Sequence, residues 1–244
     1  IFNISNKRLT TTHENDTLLW HYRLGHINEK RIKKLQEANL LGLLDFKSLE
    51  TCQPCLIGKM TKKPFKKKGP RASGLLDLIH SDVCGPMSTS ARDGFRYFIT
   101  FTDDYSRYGY VYLMRNKSES FEKFKEFKNE VENQLDKKIK SLRTDRGGEY
   151  LSAEFDSYLK EFGIVPQLTP PGTPQWNGVS ERRNRTLLDM VRSMMSHAEL
   201  PLYFWSYALQ SAAYKLNNVP SKSVEKTPYE LWSGKTPKLN FLKI

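Results

Sequence analysis

The chain has 244 residues, 38% of them hydrophobic and 27% charged, with a formal net charge of +12 at pH 7. That length suits one large domain or two unequal ones. No apolar run is long enough to span a bilayer and no secretory signal pattern opens the chain, so the expectation is a protein that is neither membrane-spanning nor exported.

The opening residue is Ile1 rather than Met, which reads as a processed product or an excised piece. Three cysteines, Cys52, Cys55 and Cys84, are too few and too uneven for a disulfide framework, which favours a reducing, intracellular compartment. Residues 1–75 hold 15 Lys/Arg against 6 Asp/Glu, and the rest hold 24 against 21. A basic first third on a nearly balanced body points to an anionic polymer, nucleic acid first, with solubility or acidic lipid as the alternatives.

In chain order, residues 1–17 are polar without a period and read as a leader. Residues 18–58 form a compact unit in which Asn28 is a helix N-cap and Ile27 and Ile32 form a hydrophobic staple. Ile32 and Leu35 give it only a short apolar stripe, too little to fold about 40 residues unaided. Residues 59–74 are a Pro/Gly-broken basic linker. From residue 75 the texture changes. "LLDLIHSDVCGP" (75–86) is a strand, and "FRYFITFTDDYSRYGYVYLM" (95–114) is two strands joined at a polar turn. A helix follows, with Phe124, Phe127, Val131 and Leu135 on one face. "KIKSLRTD" is a fourth strand, "SAEFDSYLKEFG" a helix and "IVPQLTP" a fifth strand. Two more helices run from about Gly178 to Ala198 and from about Pro201 to Asn217. This order predicts an α/β core over 75–220 with a five-stranded mixed sheet flanked by helices, and a C-terminal extension over 221–244.

His21, His26, Cys52 and Cys55 follow the spacing His-x4-His-x25-Cys-x2-Cys, which suits one tetrahedral, structural Zn2+ and would supply the stabilisation that the small core lacks. A redox pair at Cys52 and Cys55 is the alternative, but the thioredoxin-like unit it needs is missing. His13 is a weaker substitute ligand.

Three acids stand at element ends: Asp82 and Asp145 after strands, and Glu181 in the first turn of a helix whose face it shares with Leu188 and Met195. Clustered carboxylates repel, so one of them should have a raised pKa, and Mg2+ or Mn2+ would relieve the conflict. The plainer reading makes each acid a turn cap or an arginine's partner. Asp103 and Asp104 read as turn formers. His80 and Cys84 share the face of Asp82 as packing groups.

The pieces "CQPCLIGK", "HSDVCGPM", "FTDDYSRY", "RTDRGGEY" and "PQWNGVSERRNRTL", with 35 residues between Asp145 and Glu181, resemble the integrases of copia-type LTR retrotransposons, within the retroviral integrase superfamily. The resemblance runs from residue 19 to residue 244. It implies a ribonuclease-H-like catalytic core behind a small helical His-His-Cys-Cys zinc-binding domain. It also implies Asp82, Asp145 and Glu181 as the catalytic triad, with Asp82 bridging two Mg2+ or Mn2+ ions, and His21, His26, Cys52 and Cys55 as zinc ligands. The implied activity is 3′-end processing and strand transfer of element DNA into target DNA. A homo-oligomer, dimer or tetramer, would assemble on double-stranded DNA, in the nucleus at integration and in a cytoplasmic virus-like particle before it.

For DNA contacts, Arg182, Arg183 and Arg185 offer counter-charge beside Glu181, Trp176 and Asn177 are candidates for frayed bases, and Lys62, Lys63, Lys66, Lys67 and Lys68 suit a second DNA segment. Ser81 and Ser180 are not expected to be nucleophiles. Members of the family continue beyond the point where this chain stops, at Ile244, into a DNA-binding region and a basic tail, so full integration activity, target-site choice and nuclear import are expected to be reduced or missing. The competing readings are a catalytically silent DNA-binding or protein-interaction remnant, and a nuclease or transposase of the same fold.

Overall fold

The computed structural model describes residues 16–46, 52–59, 71–169, 177–221 and 224–239. The amino-terminal unit consists of α1 (Asp16–Arg23), α2 (Glu29–Glu37) and α3 (Gln53–Gly58). Asn28 caps α2, its side chain accepting from the Arg31 amide at 3.0 Å, and Ile27 and Ile32 are both buried, as a staple requires. α1 and α3, of 8 and 6 residues, are too short to show a full apolar period and were not foreseen.

The remainder is the expected five-stranded sheet. Its strands are β1 (Ile79–Cys84), β2 (Tyr97–Asp103), β3 (Gly109–Met114), β4 (Ser141–Thr144) and β5 (Val165–Leu168), in the spatial order β3-β2-β1-β4-β5. β1, β2 and β3 are an antiparallel meander, whereas β4 and β5 run parallel to β1. The helices are α4 (Ser120–Leu135), α5 (Ala153–Glu161), α6 (Gly178–Ala198), α7 (Trp205–Asn218) and α8 (Pro228–Ser233). A single 3-10 turn, Leu202–Phe204, stands where the last long helix was expected to begin.

Strand alternation sorts the sheet into two faces. Ile79, Ile99, Phe101 and Met114 turn to one side and bury against Phe124, Phe127 and Val131 of α4 and Phe155 and Leu159 of α5. Phe98, with Cys84, Val111 and Leu113, turns to the other side, against α6 and α7. That second face is apolar only at one end. At the other end its inward positions are His80, Asp82, Thr100 and Thr102, and this polar patch under the start of α6 is where a site can form.

The amino-terminal unit does not stand on its own core. Leu24, Ile27, Ile32, Leu35 and Leu41 bury in one cluster with Leu187, Met190, Val191 and Met195 of α6 and Leu209, Ala212 and Leu216 of α7. The short apolar stripe is therefore completed by packing as well as by any metal. α3 lies directly on α6: a Cβ at Gly58 would come within 2.9 Å of the Ser193 amide nitrogen, and Arg192 Nε donates to the Gly58 carbonyl at 2.7 Å. Glycine is needed there for close approach.

Candidate metal centres and active site

The amino-terminal centre is already drawn together. One ligand atom from each of His21, His26, Cys52 and Cys55 lies within 4.8 Å of all the others. His21 Nε2 is 3.2 Å from Cys55 Sγ, and His26 Nδ1 is 3.3 Å from Cys52 Sγ and 3.6 Å from Cys55 Sγ. Around tetrahedral zinc such ligand pairs stand roughly 3.3–3.8 Å apart. His21 Nδ1 is 2.7 Å from the Ile27 carbonyl, so this nitrogen carries the proton and Nε2 keeps its lone pair for an ion. Burial pushes His21 down to about 4, and burial with the neighbouring His21 and His197 charges pushes His26 down to about 3. Both rings are thus neutral, as metal binding requires. Burial raises the Cys52 thiol to about 11 in the metal-free state. Two imidazoles and two sulfurs with a buried hydrogen-bonded orienting group form a site fit for zinc.

The second centre lies at the polar end of the sheet. β1 and β4 pair in parallel with Ile79 opposite Leu142 and His80 opposite Arg143. Asp145 follows β4 directly, and after burial its charge is the largest influence on the Asp82 carboxyl. α6 completes the group. Asn184, on the same helix as Glu181 and one turn further on, donates through Nδ2 to Asp82 Oδ2 at 2.9 Å and accepts from Thr100 Oγ1 at 2.9 Å. Asn177, at the head of α6, donates to the Ser81 carbonyl at 3.2 Å. The helix is therefore stitched to β1 on both sides of Glu181.

Asp82 bears the repulsion. Burial, followed by the charge of Asp145 and then those of Glu181 and Glu149, raises its carboxyl to about 7, against the lowering bond from Asn184. Glu181 is also raised, chiefly by partial burial and by Asp145, while Arg185 and Arg182 pull it back. Oxygen donors forced together against their own charge suit hard divalent cations. Two residues here were not foreseen. Glu149 sits with its carboxyl against Gly147 and adds a fourth negative charge. Asn184 holds Asp82, and its i+3 spacing from Glu181 was a signal that helix geometry offers. Tyr150 bonds Ser81 through the two hydroxyls at 2.7 Å on the opposite face and anchors the loop after β4. Ser81 is thus occupied structurally.

The basic candidates separate. Arg182 is exposed and Arg185 half-buried, both beside Glu181. Arg183 is a correction to the expected DNA contact. It is 8% exposed, and its guanidinium donates to the carbonyls of Arg107 and Gly109 and to Asn217 Oδ1. Both of its terminal nitrogens are bonded to the protein, and its role is to fasten α6 to the β2–β3 turn and α7. Asn177 likewise is 1% exposed, which removes it from frayed bases and makes it a tether for α6. Asp103 and Asp104 are turn formers as expected: Asp103 accepts from the Leu76 and Ser106 amides, and Asp104 from the Ala72 amide and the His80 ring. Trp176, Lys62, Lys63, Lys66, Lys67, Lys68 and His13 lie outside the described residues.

Two family models match this chain: the GAG-pre-integrase domain over residues 2–60 and the integrase core domain over residues 75–174. The retrovirus-related Pol polyprotein from transposon TNT 1-94 of Nicotiana tabacum is 41% identical over 93% of this chain and 17% of its own length. That from transposon RE2 of Arabidopsis thaliana is 34% identical over 92% of this chain and 15% of its own length. The transposon Ty1-DR6 Gag-Pol polyprotein of Saccharomyces cerevisiae is 28% identical over 85% and 12%. The chain thus spans a minor part of the curated relatives it matches. Among solved structures it is similar to the simian T-cell lymphotropic virus intasome in complex with the PP2A regulatory subunit B56 gamma, with a TM-score of 0.57 and 18% identity over 80% of this chain and 66% of that one. It is also similar to the HTLV-2 integrase catalytic core domain in complex with magnesium, with a TM-score of 0.50 and 18% identity over 66% of this chain and 99% of that one.

The mixed sheet in the order β3-β2-β1-β4-β5, flanked by helices, is a ribonuclease-H-like integrase core. With the amino-terminal match and the transposon relatives added, the chain belongs to the integrases of copia-type LTR retrotransposons, in the retroviral integrase superfamily.

Proposed function

We propose that this chain is the part of a retrotransposon polyprotein that trims the 3′ ends of element DNA and joins them to target DNA. The observation that supports the reading is that Asp82 feels the charges of Asp145 and Glu181, and Glu181 that of Asp145, with α6 tied to β1 by the Asn184 bond to Asp82. These three residues would hold a pair of Mg2+ or Mn2+ ions. When bound, such a pair supplies activation of an attacking oxygen and charge neutralisation at the leaving oxygen of an in-line phosphoryl transfer.

The chain's own residues do the rest. Asn184 fixes the orientation of the Asp82 carboxylate, and Asn177 and Arg183 hold α6 so that Glu181 faces the strand ends. Arg182 and Arg185, at the amino end of the same helix, offer charge-assisted bonds to a DNA backbone entering beside Glu181. No protein nucleophile is needed, consistent with the Ser81 hydroxyl being bonded to Tyr150. His21, His26, Cys52 and Cys55 would hold a structural Zn2+. Double-stranded DNA and further copies of the chain are the proposed partners; the similar viral structure is itself an intasome. Joining to chromosomal DNA places the reaction in the nucleus.

The test is strand transfer with a labelled terminal-repeat oligonucleotide, plasmid and Mn2+. Joined product is expected, and Asp145→Asn should abolish it while DNA binding persists. Cleavage of RNA in a hybrid without joining would make the chain a nuclease. Tight DNA binding without any chemistry would make it a silent remnant.

A further inference from the structure

Glu149 stands in the loop after β4, in the 3-10 turn Gly148–Tyr150, and its side chain is 10% exposed. Among the described residues its carboxylate accepts no hydrogen bond. The cation within 4 Å of it is Lys117, whose Nζ lies 3.9 Å from Oε1, too far for a hydrogen bond, on a side chain that is 48% exposed. A half-exposed pair at that distance contributes little. A nine-tenths buried carboxylate without a hydrogen bond opposes folding unless something positive reaches it.

Its placement is written into the chain. Gly147 has φ −58° and ψ 140°, a conformation open to most residues, so glycine is not there for backbone freedom. It is there for space: a Cβ on it would stand 2.7–2.8 Å from the carboxyl carbon and both carboxyl oxygens of Glu149. The same Gly147 donates its N–H to Asp145 Oδ1 at 3.0 Å. Both carboxylates thus lie against one glycine, no further than about 8 Å apart by standard backbone dimensions. The charge of Glu149 is also felt at Asp82. The group is open to solution, since with Lys117, Gly148 and Ser152 it lines a groove of about 450 Å3. That groove adjoins the end of β1, where the Lys117 charge acts on Cys84.

We propose that Glu149 is a fourth binding residue of the divalent-cation site, reaching the ions through their water shell. Mg2+ and Mn2+ held by few carboxylates keep several waters, and a carboxylate beside that shell orients it. Lys117 stands near the Glu149 carboxylate when the ions are away and competes with them for it. The inference rests on the reading of Asp82, Asp145 and Glu181 as the cation site and extends that site by one residue.

The experiment is Mn2+ titration of the zinc-loaded chain, with free Mn2+ read by electron paramagnetic resonance, beside thermal unfolding in manganese-free buffer. Glu149→Gln should weaken Mn2+ binding about tenfold or more. It should keep the manganese-free Tm at or above the wild-type value, because it removes a buried, unbonded charge. Gly147→Ala should weaken Mn2+ binding in the same way at little cost in Tm, since the methyl displaces only the end of a flexible side chain. Lys117→Met should tighten Mn2+ binding. A Glu149 that serves only its ion pair would instead lower Tm in both Glu149→Gln and Lys117→Met and leave Mn2+ affinity unchanged, which overturns the proposal. Asp82→Asn is the control. Loss of Mn2+ in Asp82→Asn with full affinity in Glu149→Gln removes Glu149 from the site and leaves the three-acid reading standing. Full affinity in both overturns the two together.

Discussion

At the amino-terminal centre four ligand atoms stand within 4.8 Å of one another, whereas at the strand ends Asp82, Asp145, Glu181 and Glu149 hold one another off and Asp82 rises to about 7. The difference follows from ligand charge. Imidazoles held near pKa 4 and 3 are neutral, so they can be packed beside sulfur before an ion arrives. Carboxylates gathered for a hard cation are charged, and their closeness opposes folding until something positive joins them. The first cluster fits together without an ion; the second holds a repulsion that a hard cation would relieve.

That contrast can be broken most strongly at zinc. Cys55→Ser, or chelation, should destabilise the whole chain rather than the amino-terminal unit alone, because the unit's apolar residues share a cluster with α6 and α7. A Tm loss of about 10 °C or more is expected, on the order of 3–5 kcal/mol. A loss confined to residues 16–58, seen by hydrogen exchange, would refute the shared core.

The acid centre should respond with the opposite sign. Asp82→Asn should lower strand transfer by about a thousandfold, or about 4 kcal/mol, yet raise stability in zinc-replete, magnesium-free buffer. The folded pKa of Asp82, about 7, lies above its ordinary value of 3.8, so between those values the folded state holds a proton that the unfolded state has lost. Stability must then fall as pH rises from about 4 to 7 and level off above. The effect is on the order of 2 kcal/mol after allowance for partial exposure. Mg2+ should restore it in the wild type and do nothing in Asp82→Asn; a wild-type Tm that is flat with pH would contradict the stored repulsion.

Smaller changes sharpen the seam between the centres. Gly109→Ala would set a methyl 2.3 Å from Arg183 Nε and Cζ and should destabilise by about 1–3 kcal/mol, read by urea unfolding. Asn28→Ala, which removes only the cap of α2, should cost about 1 kcal/mol, and the same urea titration checks it.

Local spacing made the zinc ligands readable, because Cys-x2-Cys and His-x4-His state their geometry within a few residues. α6 was readable too, since its period runs through 21 residues. Arg183 was not. It has the same chemistry as Arg182 and Arg185, and what buries it is the bare backbone of Gly109, 74 residues away. The three acids were visible as candidates, but their alignment depends on the register of β1 on β4, a pairing across two intervening strands and a helix. Glu149 lay inside a noticed motif and had no local mark of nearness to Asp82. α8, at 6 residues, offers too little of a period to be seen.

α6 carries Glu181 in its first turn and His197 in its last, whose ring lies 5.4 Å from that of His26 and 4.4 Å from that of Tyr22. Those sixteen steps span about 24 Å of unbroken helix. One unbroken helix therefore carries an acid of the strand-end cluster near its start and a ring packed on the His-Cys cluster near its end.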